Sequence, residues 1–452
     1  MAARPLIRLG LQGEMMQSQV LLAGDIHLGK SPVHLPKDID QHGISPVELT
    51  PAEGWLRLIR FAVEQGVAAV VLTGDVVEED HHRLEAFGHL QRGVLELVQN
   101  GIEVYSVVGD HEVEALEEVT QRIPAFHLVG QGGKWEWVTL SHQSKPIMNI
   151  LGWSFPKRGI PQSPLEQELP LPPDEKLPRF GILHDLDTPD SVFAPTPRRR
   201  LEDIELDGWF IGHKHKPSQL GSDSLIGYLG PLVGLDPSET GLHGPWVLEI
   251  DDFGQFSIKQ ISLGPLRWEE LPVAVEMIRG QADFKDVLRD SMASLHKRLL
   301  PQLKGVKAVG CRIKLVGPRK LHRDVAQRLN PSDLEDLKPR FDDILYFVEG
   351  IIDDSRLSLD LERIAQASDP PGLLARQLLA LVNEEEDAQD LIREARHRLK
   401  KEAAWSTWSQ LEEIQFTDDQ VRELLLQAGL PALKELLGQI EPGSREDVRS
   451  WS

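Results

Sequence analysis

The chain has 452 residues, 40% of them hydrophobic and 27% charged, and a formal net charge of −22. This composition is typical of a globular protein, and the length predicts two or three domains. The strongly acidic balance argues against strong unaided binding to nucleic acid. No apolar run approaches the roughly 20 residues that span a bilayer, so no membrane partner is expected. The single cysteine, Cys311, excludes an intrachain disulfide framework and favours a cytoplasmic location.

Short apolar runs alternate with amphipathic segments through residues 17 to 160. The apolar runs predict buried strands at 20–23, 67–72 and 104–108. Helical spacing at 51–65 and 82–99 separates these strands. This alternation predicts βαβ units, and therefore an α/β fold whose sheet is covered by helices.

Four further strands are predicted at 180–183, 208–211, 225–229 and 246–250, after a proline-rich loop at 156–178. A second α/β region is predicted from about 265, with helices at 283–300 and 320–329 and strands at 307–316 and 343–352. From about Pro371 onward the pattern is helical. The predicted domains are therefore 1–264, 265–368 and 369–452.

Carboxylate and imidazole side chains follow five of the predicted strands. The segments are Gly24-Asp25-Ile26-His27, Gly74-Asp75, Gly109-Asp110-His111-Glu112, Leu183-His184 and Gly212-His213-Lys214-His215. A lone Gly-Asp indicates a turn, and a lone buried histidine is usually a core residue. Five such endings instead converge at one edge of an α/β sheet. Mixed oxygen and nitrogen ligands suit manganese, iron or zinc, so the pattern predicts a dinuclear metal site.

Residues 24–31 also match the phosphate-binding loop of nucleotide hydrolases. That loop must open a helix, whereas Pro36 would break a helix that began here. Asp25 would also place a negative charge next to the bound phosphates. We therefore interpret the match as accidental.

Taken together, these motifs resemble those of the calcineurin-like metallophosphoesterases, and among them the DNA-repair exonuclease subunits of the SbcCD type. The hexapeptide Gly212-His213-Lys214-His215-Lys216-Pro217 is the most specific part. The resemblance covers residues 17 to 262 and continues more loosely to about 365. It implies a four-layer sandwich, in which two sheets are flanked by helices, followed by a small α/β capping domain and a C-terminal helical region.

The resemblance also implies a role for each motif residue. Asp25, His27 and His215 would hold one divalent ion, and Asp110, His184 and His213 would hold the other, with Asp75 as the bridge. His111 would assist departure of the leaving oxygen. The expected cofactors are two manganese ions, with iron or zinc as alternatives. The implied activity is phosphodiester hydrolysis of DNA by a metal-activated hydroxide.

The third motif departs from the family, because Asp110 stands where the relatives have a neutral asparagine. The extra negative charge predicts weaker or altered nuclease activity. Two alternatives therefore stay open. The chain could act on a small nucleotide or another phosphoester, or it could be a weakened subunit that regulates an ATPase.

Relatives of this type bind an SMC-like coiled-coil ATPase through their C-terminal helices. In this chain Trp405, Trp408 and Leu411 form an apolar stripe that fits either a packed bundle or such a docking surface. A homodimer is left open. The run 198–200, three arginines, predicts a solvated loop or a patch that contacts phosphate.

Overall fold

The computed structural model describes residues 17–78, 83–109, 112–123, 125–157, 163–173, 176–184, 198–221, 225–278, 281–319, 334, 336–354, 356–357, 361–383, 386–405 and 416–438. These residues fall into two compact units. One holds the described residues within 1–273, 277–315 and 329–353, and the other holds those within 274–276, 316–328 and 354–452. The boundaries predicted near 265 and 369 stay predictions.

A six-stranded sheet has the order β11-β10-β1-β2-β3-β4. Its parallel strands are joined by helices, as the alternating pattern predicted. The elements in chain order are β1 (Ser18–Ala23), α1 (Pro51–Gln65), β2 (Ala69–Leu72), α2 (Arg83–Gln99), β3 (Glu103–Ser106), α3 (Val113–Arg122) and β4 (Phe126–Leu128). The hairpin of β10 (Trp246–Ile250) and β11 (Phe256–Gln260) pairs antiparallel with β1.

A five-stranded sheet has the order β5-β6-β7-β8-β9. Its elements are β5 (Glu136–His142), β6 (Lys145–Trp153), β7 (Arg179–His184), α4 (Arg198–Glu202), β8 (Gly208–Gly212) and β9 (Ile226–Tyr228). The hairpin β5–β6 was not predicted; β5 has a single buried residue, Leu140, whereas β6 is buried from Ile147 to Trp153. The three arginines at 198–200 form the exposed start of α4, so the predicted loop is wrong.

The two sheets pack face to face through alternate residues of their strands. Val20, Leu22 and Val71 from the first sheet share one buried cluster with Ile182 and Phe210 from the second. The opposite side chains of β1 and β2 pack against the buried faces of α1 and α2. The predicted α/β sandwich of two sheets flanked by helices is therefore confirmed.

A four-stranded sheet of order β12-β13-β16-β15 follows in the chain. Its elements are β12 (Leu266–Ala274), α5 (Gln281–Leu299), β13 (Ala308–Val316), β15 (Arg340–Phe341) and β16 (Ile344–Asp353), while β14 (Pro318–Arg319) pairs with β17 (Arg356–Leu357). Strand β12 was not predicted, and the helix predicted at 320–329 lies outside the described residues. Cys311 is buried in β13, as its apolar surroundings predicted.

The second unit is largely helical, as predicted. Its helices are α6 (Leu361–Ile364), α7 (Pro370–Val382), α8 (Glu386–Trp405) and α9 (Asp418–Gly438). Leu378, Leu381, Ile392, Val421 and Leu433 form its buried core. Trp408 and Leu411 lie outside the described residues. Within the described part of the chain, none of the helices is both long and apolar enough to cross a membrane.

Candidate metal centre

The side chains predicted to bind metal lie where strands of the two sheets end. Asp25 and His27 follow β1, Asp75 follows β2, and His184 is the last residue of β7. His213 and His215 come directly after β8. The close packing of these loops requires glycine, since a Cβ atom on Gly212 would lie 2.2 Å from the carbonyl oxygen of Thr73.

Four of these residues have a left-handed backbone conformation. The φ angles are 49° at Asp25, 51° at His27, 51° at Asp75 and 102° at His213. Positive φ is uncommon outside glycine and concentrates at functional sites, where the surrounding structure enforces it. The loops therefore aim these side chains in directions that relaxed backbone would disfavour.

One group of converging ligand atoms comes from Asp25, His27 and His215, all within 4.8 Å of one another. The Nε2 atoms of His27 and His215 lie only 3.0 Å apart. Two imidazoles that point their nitrogens at one place are arranged to share a cation.

A second group is formed by Asp25, Asp75 and His184, again within 4.8 Å. Asp75 Oδ2 lies 3.6 Å from His184 Nε2 and 3.8 Å from His27 Nε2. Asp25 thus belongs to both groups, and Asp75 is close to an imidazole of each. The roles of Asp75 as bridge and Asp25 as terminal ligand stay predictions.

His213 lies beside the second group. Its ring centre is 5.6 Å from that of His184, and its backbone N–H donates a 2.6 Å hydrogen bond to Asp25 Oδ1. Burial and the neighbouring His184 lower the pKa of His213 to about 4, so its imidazole is neutral at pH 7. The other two predicted residues, Asp110 and His111, lie outside the described residues.

The residues present fit a metal centre. Asp25 is completely buried, and its Oδ2 atom has no hydrogen-bond partner among the described residues. Burial raises the pKa of Asp25, although the nearby imidazole of His184 acts in the opposite direction. A buried carboxylate without a partner is costly unless a cation neutralises it, and this site offers oxygen and nitrogen donors suited to a divalent ion.

The imidazoles are oriented by contacts to their other ring nitrogen. His184 Nδ1 is 3.0 Å from the carbonyl oxygen of Thr73, and His215 Nδ1 is 2.7 Å from Glu239 Oε1. Such acceptors place the proton on Nδ1 and leave Nε2 free to bind a metal. Although burial disfavours protonation, Glu239 and Asp25 raise the pKa of His215.

Glu112 connects the loop after β2 to the loop after β3. Its Oε2 accepts hydrogen bonds from the backbone N–H groups of Val76 (2.7 Å) and Val77 (2.9 Å), and its Oε1 accepts one from Gly109 (3.2 Å). Burial and the charge of Asp75 raise the pKa of Glu112 to about 8, against the effect of these donors. Glu112 therefore holds the Asp75 loop in place.

The sequence did not assign roles to Glu112 or Glu239. Glu112 belongs to the third motif segment, but no spacing rule says which backbone or imidazole group a loop carboxylate will reach. Glu78 was also unassigned, and it lies 3.4 Å from His27 Nδ1 and 2.7 Å from Lys30 Nζ.

The match to the phosphate-binding loop is accidental, as interpreted. Residues 24–31 contain no helix, and Leu28 instead forms an isolated parallel bridge with Val77. The segment holds Asp25 and His27 against the Asp75 loop, and it lacks the helix N-terminus that would be needed to bind phosphate.

Comparison with known proteins agrees with this geometry. Residues 18–217 match the family model of the Calcineurin-like phosphoesterases. A Bacillus subtilis (strain 168) protein named "Uncharacterized metallophosphoesterase YhaO" is 23% identical over 306 residues, which cover 62% of this chain and 68% of that protein.

Similar solved structures include a dimetal phosphatase from Danio rerio and the protein TT1561 of Thermus thermophilus. The first is 11% identical with a TM-score of 0.34, over 54% of this chain and 97% of its own. The second is 11% identical with a TM-score of 0.31, over 54% of this chain and 99% of its own. Scores this low carry no argument about function. The family match and the two ligand groups that lie within it identify residues 18–217 as a calcineurin-like phosphoesterase domain.

Proposed function

We propose that this chain is a phosphodiester hydrolase that acts on DNA with two divalent metal ions, as the nuclease subunit of a repair complex. The observation that carries the hydrolase assignment is the convergence of two ligand groups on Asp25, one with His27 and His215 and the other with Asp75 and His184. No single-ion structural site needs two such groups side by side.

The residues divide by their position. Asp25, His27 and His215 would hold one ion, and His184 and His213 would hold the other together with Asp110, while Asp75 lies between them. When bound, two such ions supply Lewis acidity that activates water and offsets charge on the phosphoryl oxygens. Manganese is the proposed ion, with iron or zinc as alternatives that the same donors accept.

The protein's own groups orient the reaction. The buried carboxylates of Asp25 and Asp75 give the site its negative charge, and the neutral imidazole of His213 offers a lone pair. Lys30 Nζ lies 3.3 Å from His27 Nδ1 and 2.7 Å from Glu78 Oε2, so its charge is paired with Glu78 beside this ligand group. We assign His111 to the leaving oxygen on the resemblance of the third motif alone.

DNA is proposed as the substrate for two reasons. The resemblance to SbcCD-type exonuclease subunits is the first. The second is that a four-stranded sheet and a helical unit follow the sandwich. Phosphatases of small substrates can act with the sandwich alone.

The test is a cleavage assay of the purified chain with manganese on linear, nicked and single-stranded DNA, alongside a chromogenic phosphodiester. Asp75→Asn serves as the inactive variant, and Asp252→Asn, on an exposed hairpin turn, serves as the matched control. Cleavage of DNA supports the proposal. Cleavage of the chromogen alone favours a small phosphoester substrate, and metal binding without any cleavage favours a regulatory subunit.

We also propose that the helical unit binds a coiled-coil ATPase of the SMC type. Leu373 and Leu424 are large apolar side chains on its helices that are 56% and 43% exposed. The resemblance to SbcCD-type subunits carries this proposal, and the two leucines are candidate contacts on the helices that it assigns to docking.

Charged substitutions test this docking in the full-length chain. Leu373→Glu with Leu424→Glu should abolish recovery of such an ATPase from the same organism, whereas Leu84→Glu, at a site that is 91% exposed in the first unit, should not. Equal recovery by both variants would count against docking. The cytoplasmic location stays a prediction, and the homodimer stays open.

A further inference from the structure

The imidazole of His215 is held by a carboxylate that lies outside the predicted ligand set. Its Nε2 faces His27 Nε2 at 3.0 Å, while its Nδ1 lies 2.7 Å from Glu239 Oε1. An ionised carboxylate only accepts hydrogen bonds, so Nδ1 must be the donor and Nε2 is left as the metal-binding atom.

Glu239 is itself fixed at its second oxygen. Its Oε2 accepts a 2.7 Å hydrogen bond from the backbone N–H of Leu235, and its side chain is only 11% exposed. The two carboxylate oxygens thus serve one donor each. The carboxylate cannot rotate away from His215 without leaving the Leu235 amide unsatisfied.

The loop that carries Glu239 is fastened to β12 on both sides. Trp268 Nε1 donates to the carbonyl oxygen of Gly234 at 3.0 Å, and the Gly241 N–H donates to the Trp268 carbonyl oxygen at 2.9 Å. His243 Nε2, 2.8 Å from the carbonyl oxygen of Glu239, adds a contact within the loop itself. A Cβ atom on Gly234 would lie 2.9 Å from the Trp268 ring, so the loop and the strand are in close contact.

We propose that Glu239 is a positioning residue for the metal centre, which fixes the tautomer and direction of His215 and is itself held by Trp268 of β12. This inference rests on the proposed metal-dependent function and extends it to a residue outside the ligand set. The first strand after the sandwich thereby becomes part of the support of the metal site, because it determines where a ligand's hydrogen-bond partner stands.

The other imidazole of the same group provides a contrast. His27 Nδ1 lies 3.4 Å from Glu78 Oε2, and that oxygen is shared with Lys30 at 2.7 Å. Glu239 Oε1 instead makes the shorter contact, 2.7 Å, to His215 alone. The His215 contact is therefore the one whose loss should matter more for metal binding.

The test measures manganese binding to the full-length chain by equilibrium dialysis, for wild type and for Glu239→Gln. Glutamine keeps the size of the side chain but has a single acceptor oxygen. It therefore cannot accept hydrogen bonds from both His215 Nδ1 and the Leu235 N–H. We expect the affinity for the ion held through His215 to fall by about 10- to 100-fold, the usual effect of removing such a partner. Cobalt substitution should show an altered visible absorption spectrum in the same variant.

Asp342→Asn is the matched control. Asp342 Oδ2 accepts from the buried His296 at 3.1 Å, which is the same kind of carboxylate–imidazole pair outside the metal site. Its substitution should leave manganese affinity within about two-fold of wild type, as expected for a site with no shared partner.

A double-mutant cycle with His215→Ala distinguishes an effect of Glu239 on the position of His215 from a general destabilisation of the protein. If Glu239 acts through His215, Glu239→Gln should cause no further loss in the His215→Ala background. An equal loss in both backgrounds would overturn the proposal. If Glu239→Gln does not fold, Trp268→Phe is the second variant, because it removes the donor to Gly234 without changing a group of the metal site. An unchanged manganese affinity of Trp268→Phe would also overturn the proposal.

The result for wild type distinguishes the inference from the proposed function. Wild-type protein that takes up no manganese would overturn both. Wild-type protein that binds two ions, with the same affinities in Glu239→Gln, would overturn the positioning role alone.

Discussion

At the scale of single residues, the candidate metal site consists of carboxylates and imidazoles that are buried, and several of them belong to residues with a strained backbone. Asp25 and Asp75 are almost completely inaccessible, and both have positive φ. Each of these features is unfavourable in the absence of a ligand, by an order of about 1–3 kcal/mol for the backbone conformation. Their coincidence at one point is the physical sign of a functional site.

The charge at position 110 leads to a prediction about activity. Asp110 adds one negative charge where the resemblance implies an amide, which should tighten metal binding but weaken the attraction for phosphate. Asp110→Asn should therefore increase the rate of phosphodiester cleavage under manganese saturation. The rate constants for a chromogenic diester provide the measurement, and no gain would count against this account of the third motif.

Glu112 leads to a prediction about stability. It accepts hydrogen bonds from three buried backbone amides, and glutamine could not accept at both positions. Glu112→Gln should lower the free energy of unfolding by about 1–3 kcal/mol, the cost of a buried donor without an acceptor.

Urea denaturation measures this loss, with Glu85→Gln as the control because that side chain is 71% exposed. The control should change stability by less than about 0.5 kcal/mol. If both variants unfold at the same urea concentration, Glu112 does not hold the two loops as proposed.

At the scale of elements, the close crossing of α1 and α2 depends on one glycine. A Cβ atom on Gly93 would lie 2.2 Å from Trp55 Nε1 and 2.4 Å from Ile59 Cδ1, and both side chains are fully buried. Gly88, in the same helix, has nothing within 4 Å of such an atom. An alanine at Gly93 therefore tests the packing between the helices, whereas an alanine at Gly88 tests helix propensity alone.

The pair predicts opposite effects of the same substitution. Gly93→Ala should destabilise the protein by about 1–3 kcal/mol through overpacking. Gly88→Ala should stabilise it by roughly 0.5–1 kcal/mol, because alanine is the better helix former. Urea midpoints of the two variants provide the measurement, and stabilisation by both would contradict the helix contact.

At the scale of the whole molecule, the net charge of −22 predicts weak DNA binding by the chain alone. The 49 lysines and arginines are outnumbered by 71 aspartates and glutamates, so the Kd for duplex DNA at physiological salt should lie at roughly 1–100 µM. Fluorescence anisotropy with labelled duplex, at two salt concentrations, measures this. Nanomolar binding at low salt that falls steeply as salt is raised would show a basic surface that the overall charge does not reveal.

Much of the fold and of the candidate site could be predicted because both depend on local patterns. The apolar runs before Asp25, Asp75 and His184 are buried strands, since the interior of a covered sheet demands continuous apolar residues. Strand β5 was not predicted, because it is an edge strand in which only Leu140 is buried. Strand β12 was not predicted, because exposed residues alternate with buried ones in its second half.

The sequence by itself determined the α/β class, the strand ends that carry ligands and the type of chemistry that those ligands allow. Only the tertiary structure decided which atoms meet: that Asp25 is common to both ligand groups, and that Glu239 and Glu112 hold His215 and the Asp75 loop. The physical reason is that residue type and spacing determine local conformation. Contacts such as that of His215 with Glu239, which lie 24 residues apart, depend instead on how separate loops pack.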